Sequence, residues 1–174
     1  MTRLVAIRPM TIEDLAIVEQ WLREPHVARW WTPETTSARE IEKFRARVEG
    51  APHSATKMRT VQLNGRPVGW CQWYRWADYP SDAAATGAAD DEIGADYAIG
   101  DPLTIGRGVG TAMIAALVGE IRRRHRGAGI VIAPEARNAA SRRVLEKNGF
   151  QLVGIYPIAT EPHDRPMAIY RLAP

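Results

Sequence analysis

An α/β fold built on one mixed sheet is what this sequence predicts, and three observations predict it. The apolar residues switch several times between a period of two and a period near 3.6, so strands and helices alternate along the chain. Asn64-Gly65 separates two strand-like runs and forces them into an antiparallel hairpin, because both residues tolerate positive φ. A glycine-rich segment, Gly106-Arg107-Gly108-Val109-Gly110, lies between a strand and an apolar helix. A length of 174 residues fits one domain, 1–174, large enough to bury a core.

Each element follows from its pattern. Val5 to Arg8 reads as a strand. Thr11-Ile12-Glu13-Asp14 is a capping signature, an acid three residues after a threonine, and Ile12, Leu15, Val18 and Leu22 follow at helical spacing until Pro25. A second helix is expected from Ser37 to Glu49, with Ile41, Phe44 and Val48 on one face and Gly50 at its exit. Met58–Leu63 and Pro67–Trp76 are the hairpin strands. Residues 77–89, rich in alanine, glycine and aspartate, read as a mobile loop. A strand at Ile93–Ile99 precedes a helix at Gly108–Arg124 and a strand at Ile130–Ala133. Asn138 caps a helix that ends near Asn148-Gly149. Strands at Gln151–Tyr156 and Met167–Leu172 follow, joined by a loop holding Pro162 and Pro166. The expected order is β-α-α-β-β-β-α-β-α-β-β.

Composition narrows the function classes. A net charge of +3 is too small to argue for a nucleic-acid partner. The basic run Arg122-Arg123-Arg124-His125-Arg126 closes a helix, where cations offset the negative dipole end. No run approaches the roughly 20 apolar residues that span a bilayer. Met1-Thr2-Arg3-Leu4-Val5 shows no secretory signal pattern, so a cytoplasmic setting is expected. The one cysteine, Cys71, rules out an internal disulfide and a cysteine metal cage, and His26, His53, His125 and His163 lack ligand spacing, so no metal is expected.

The glycine loop carries the first chemical signal. Glycines at alternate positions let the backbone curl until several N–H groups converge, and the following helix adds its dipole. The result is an anion site made of Ile105, Gly106, Arg107, Gly108, Val109, Gly110 and Thr111. A triphosphatase loop would need glycine-lysine-serine or threonine at its end, which is absent. A dinucleotide fingerprint belongs to an early βαβ unit, whereas this loop comes after residue 100 and behind a hairpin.

Taken with the order of elements and the later run Asn138-Ala139-Ala140-Ser141-Arg142-Arg143-Val144-Leu145-Glu146-Lys147-Asn148-Gly149-Phe150, the loop resembles that of the GNAT acyltransferase superfamily. The resemblance covers nearly the whole chain. It implies a mixed, mostly antiparallel sheet flanked by helices and splayed between the strands around Asp96 and Ile132. It implies acetyl-CoA as cofactor, held by Ala98, Ile99, residues 105–111, Asn138, Ser141 and Arg142. Ile105 stands where that family often has glutamine or arginine.

The N-terminal half is similar to aminoglycoside 6'-N-acetyltransferases in Glu19-Gln20-Trp21-Leu22-Arg23, His26-Val27-Ala28-Arg29-Trp30-Trp31, Leu63-Asn64-Gly65-Arg66-Pro67-Val68-Gly69 and Gly94-Ala95-Asp96-Tyr97. The resemblance implies Asp96 as the group beside the acceptor amine that takes or positions its proton, with Tyr97 next to it. Backbone N–H groups from Tyr97 to Ile99 would hold the developing oxyanion. A cationic amine suits the acidic stretch Asp90, Asp91, Glu92 and Asp96, with Asp78 and Asp82 upstream; Asp90, Glu92 and Asp96 share a face if they lie on one regular strand. Trp30, Trp31, Trp70, Trp73, Trp76 and Tyr74 are candidate aromatic walls; at least half of them are expected in the core, with Trp30 and Trp31 the better site candidates and Trp73 and Tyr74 also assigned to the substrate. Leu145 stands where many members have a tyrosine acid, and Ala133 where the aminoglycoside enzymes have an acidic residue; Glu135 lies two positions on.

Two other readings share these residues. Pro134-Glu135-Ala136-Arg137-Asn138 and Ser141-Arg142-Arg143 also resemble siderophore-type lysine or hydroxylysine N-acyltransferases. The absent tyrosine is compatible with a catalytically silent CoA-binding regulatory domain. A monomer or a homodimer is expected, with neither nucleic acid nor membrane as partner.

Overall fold

The computed structural model describes residues 4–31, 35–158, 161 and 165–174. Its elements are β1 (Val5–Pro9), α1 (Leu15–Leu22), α2 (Pro25–Trp31), α3 (Ser37–Glu49), β2 (Lys57–Leu63), β3 (Arg66–Arg75), a 3-10 turn (Trp76–Asp78), α4 (Pro80–Thr86) and β4 (Ile93–Ile99). A second 3-10 turn (Pro102–Thr104), α5 (Val109–Arg124), β5 (Ile130–Ile132), α6 (Ala139–Lys147), β6 (Gln151–Tyr156) and β7 (Met167–Leu172) complete the chain. One seven-stranded sheet runs in the order β1-β2-β3-β4-β5-β7-β6. Its β1–β2, β5–β7 and β6–β7 pairs are antiparallel, and β4–β5 is parallel. The parallel ladder is short: Ile93 faces Ile130, Gly94 faces Val131, and β4 then runs on to Ile99. This is the mixed, mostly antiparallel sheet that the sequence predicts, with β4 and β5 in register at Ile93 and Gly94. No helix among the described residues is long and apolar enough to cross a membrane.

The chain divides into two compact units, residues 1–72 with 97–116 and residues 73–96 with 117–174. In the first, Leu15, Val18 and Leu22 of α1 and Ile41 and Phe44 of α3 are buried with Val27, Met58 and Trp70. Their helical spacing is what carries them to one side, and each buried side chain of this size contributes about 1.5–3 kcal/mol. In the second, Trp76, Ala83, Val131 and Ile169 form a smaller cluster. The hairpin turn has Asn64 at φ 52° and Gly65 at φ 82°, as its sequence requires.

The capping signature at Thr11 takes a different form from the one expected. Asp14 accepts from the Thr11 N–H at 2.9 Å, while Arg8 clasps the same carboxylate through two nitrogens at 2.6 and 2.7 Å and Thr60 donates at 2.8 Å. Burial pushes the Asp14 carboxyl up, but the hydrogen bonds from Arg8, Thr11 and Thr60 outweigh it and bring it down to about 2. An acid whose pKa is lowered on folding stabilises the native state above its unfolded pKa. The contribution, about 2 kcal/mol, is therefore present at neutral pH and lost as pH falls from about 4 to about 2. Denaturant unfolding of the wild type and of Asp14→Asn should differ by about that amount at pH 7 and converge near pH 2.

Two expectations need correction, and Gly50 stands at the exit of α3 as expected. Pro25 does not end a helical region; it opens α2, which places Trp30 and Trp31 on a helix. Residues 77–89 are not a loop throughout, because Pro80 starts α4 and Gly87, at φ 69°, closes it. Proline at the first turn and a left-handed glycine just past the last are the usual pair of helix boundaries. Gly50 follows α3 with φ −76°, so it ends that helix without a left-handed turn. Of the expected features, Pro162 and His163 lie outside the described residues.

Candidate active site

The glycine loop has the geometry of an anion cradle. Gly106 and Gly108 take φ 73° and 81°, and the space where a Cβ would project is open at both. The first bond into α5 is Ala112 N to Gly108 O at 3.1 Å. The N–H groups of Val109 and Gly110 therefore belong to the helix end that has no internal acceptors. Val109, Met113, Ile114, Leu117 and Ile121 are buried, so the apolar stripe of α5 fixes the direction of its N-terminus. Ile105 is about half exposed beside the loop. An open cradle, two left-handed glycines and a helix N-terminus fit a pyrophosphate.

Upstream of the loop, backbone contacts set the strand. Gly100 N and Asp101 N both donate to Val68 O, at 2.9 and 3.0 Å, and Ala98 O lies against Gly69, where a Cβ would overlap it. A Cβ at Gly100 would overlap the Trp21 ring. Gly100→Ala should therefore cost about 1–3 kcal/mol in unfolding free energy, the range for overpacking a filled core. Since Ala98 and Gly100 turn their backbones toward β3, alternation turns those of Tyr97 and Ile99 to the opposite edge. There the Ile99 carbonyl meets His26 Nε2 at 3.0 Å. The family resemblance puts His26 near the cleft, most simply in a surface or structural role, but its contact with Ile99 is not legible because α2 is too short to show a stripe.

Asp96 shares a strand face with Gly94, and the Tyr74 ring lies where a Gly94 side chain would be. Tyr74 in turn packs edge-on with Trp76 at 5.3 Å and with Tyr79 at 4.9 Å between ring centres. Tyr74 and Tyr79 are half-buried, and Asp78 and Asp82 flank Tyr79 in the chain. The Tyr74 and Tyr79 rings thus lie together beside the face of β4 that Asp96 shares, with Asp78 and Asp82 near Tyr79 in sequence. Neither Tyr79 nor α4 was anticipated from sequence.

Several expected site residues are engaged elsewhere. Trp73 is buried and its indole donates to Glu120 at 3.0 Å, so it is a core residue and cannot wall a sugar. Trp31 packs on Phe44 and Trp70, with ring centres 5.7 and 5.2 Å apart, which gives it a core role; Trp30 is half-buried on the adjoining face of α2. Glu92 pairs with Arg171 and accepts from Ala89 N, so its charge is already met. Glu135, two positions after Ala133, pairs with Arg137 at 2.8 Å and Arg165 at 3.8 Å. Asp90 and Asp91 precede β4 in a turn, so Asp90, Glu92 and Asp96 do not form one strand face. Asp91 borders a cleft of about 300 Å³ with Arg75, His125 and Arg126. Asp91 is five residues before Asp96, at most about 17 Å of extended chain at ~3.3 Å per residue.

In α6, Asn138 uses its side chain to accept from Ser141 N at 3.1 Å. Arg142 donates to Tyr170 Oη and to Ala136 O, both at 3.0 Å, and Tyr170 donates to Glu146 at 2.6 Å. The Asn138 and Arg142 side chains thus have structural partners. Leu145 is fully buried. Among the described residues, no group of three or more histidine, cysteine or acidic side chains is placed to hold a metal ion.

Comparison with known proteins agrees with the cradle. The acetyltransferase (GNAT) domain family matches residues 11–157. An aminoglycoside N(6')-acetyltransferase type 1 of Klebsiella pneumoniae is 29% identical over 160 residues, 86% of this chain and 75% of that protein. The lysine N-acyltransferase MbtK of Mycobacterium tuberculosis is 25% identical over 167 residues, 95% of this chain and 76% of that protein. The structure of AAC(6')-Ib with paromomycin and acetyl-CoA superimposes with a TM-score of 0.77 at 26% identity, over 97% of this chain and 93% of that one.

Proposed function

We propose, from the premise that this chain belongs to the GNAT acetyltransferase family and is an acetyl-CoA-dependent N-acetyltransferase, that its acceptor is the 6'-amine of an aminoglycoside. The observation that carries the proposal is the setting of Asp96. Its strand face runs under the Tyr74 ring at Gly94, Tyr74 packs on Tyr79, and Asp78 and Asp82 lie on either side of Tyr79 in the chain. Tyrosine rings stack on sugars while carboxylates attract ammonium groups. The similarity to the Klebsiella enzyme supports the same reading.

Acetyl-CoA supplies the activated thioester. The loop from Gly106 to Gly110 and the first turn of α5 would hold its pyrophosphate, with Ala98 and Ile99 along its chain. Asp96, directly or through a water, takes the proton from the acceptor ammonium, because only a neutral amine attacks. The backbone N–H groups of Tyr97 and Ile99, turned away from β3, stabilise negative charge on the carbonyl oxygen. An ordinary thiol has a pKa of about 8.5, low enough to depart near neutral pH without a strong acid. A buried leucine at position 145 is therefore compatible with turnover.

Similarity to the lysine N-acyltransferase favours a second reading, in which a lysine-type amine receives a longer acyl group. Rates with acetyl-CoA and with long-chain acyl-CoA, each against an aminoglycoside and a lysine-type amine, separate the two. The proposal expects acetyl-CoA with the aminoglycoside to be fastest by at least about tenfold. A preference for long-chain acyl-CoA and the lysine-type amine would replace it with the second reading.

A further inference from the structure

Helix α2 reaches the edge of β4 through the His26 side chain. Val27 and Trp31, four residues apart, point into the first unit's core. His26 and Trp30, also four apart, share the adjoining face and are half-buried. His26 Nε2 lies 3.0 Å from Ile99 O. A carbonyl oxygen can only accept, so Nε2 carries the proton, and in the neutral imidazole Nδ1 is left as an acceptor. Ile99 is the last residue of β4, and its carbonyl faces the edge turned away from β3. The bond therefore fixes the Trp30 face of α2 against the edge that precedes the glycine loop.

We propose that His26 is a positioning residue for the acceptor: by donating to Ile99 O it holds Trp30 in place as a wall along which the amine reaches β4. This rests on the acetyl-transfer reading above. His26 acts through Trp30 and the strand and takes no proton from the substrate. The cradle at Gly106 and Gly108 is built from loop backbone and does not depend on this bond.

The test uses the full chain with His26→Ala, His26→Gln, Trp30→Ala and the double alanine variant, with the melting temperature of each as a check on folding. His26→Ala should raise the acceptor KM about 5–10-fold, the effect of losing one hydrogen bond, and leave the acetyl-CoA KM within about twofold. His26→Gln, whose amide can donate, should recover most of the loss. His26→Ala and Trp30→Ala should be non-additive, because they disturb one wall. Equal rises in both KM values, glutamine no better than alanine, or additive effects would overturn the proposal. Nitrogen-15 NMR of the imidazole in the cofactor-free protein gives a readout independent of turnover. A fixed Nε2–H tautomer is expected, and rapid averaging of the two tautomers would refute the His26 role. If no amine is acetylated while the tautomer is fixed, the acceptor reading fails and the His26–Ile99 geometry stands.

Discussion

Asp96→Asn lowers kcat by about 10²–10⁴-fold, the span for removing a positioned general base, while the Kd for acetyl-CoA stays within about twofold. The reason is separation of tasks along one stretch of chain. Asp96 lies within β4, whereas the cradle begins at Gly106, after the turn at Pro102–Thr104. Asparagine keeps the shape and the ability to hydrogen-bond but cannot take a proton. The pH profile adds a second check: if Asp96 is the base, the limb of kcat that reports base ionisation disappears in the variant. Equal kcat values for wild type and variant would remove Asp96 from the mechanism. A loss of kcat matched by loss of acetyl-CoA binding would make it a structural residue.

Gly108→Ala raises the Kd for acetyl-CoA by roughly two orders of magnitude, about 2.7 kcal/mol. Two effects combine there. An L residue at φ 81° is strained by about 1–2 kcal/mol. The added methyl also projects into the open space above the cradle, where a pyrophosphate must approach the backbone. Gly65 is a matched control, since it has φ 82° and open space around its Cβ but sits in the β2–β3 turn. Gly65→Ala should show the same loss of stability with an unchanged Kd. If both variants bind acetyl-CoA like the wild type by calorimetry, the loop is only a turn.

The long helices are legible because their burial is periodic, and the strands because β-forming runs are bounded by turn signals. Ile41 and Phe44 mark α3, Asn64-Gly65 marks the hairpin, and β4 was readable from Ile93 to Ile99. The short helices were not. α2 and α4 each have seven residues, too few for a stripe, and their boundary signals point both ways. Pro25 reads as a stop when it is a start, and Pro80, within a segment that reads as a loop, opens α4. That misreading hid the His26 contact and the Tyr79 ring. The glycine loop was legible because backbone makes it, and glycine spacing is visible in a sequence. The acidic site was not, because pairing decides whether a carboxylate is available. Arg171 neutralises Glu92 and Arg165 contributes to neutralising Glu135, and both arginines are distant in the chain from their partners.

Acetyl transfer from acetyl-CoA to a kanamycin-type aminoglycoside, with the modified nitrogen assigned by NMR, tests the account most directly. A single acetyl group on the 6'-amine is expected, formed by the wild type and nearly abolished in Asp96→Asn. Normal acetyl-CoA binding with no transfer to any aminoglycoside, or transfer only to another nitrogen, would contradict it.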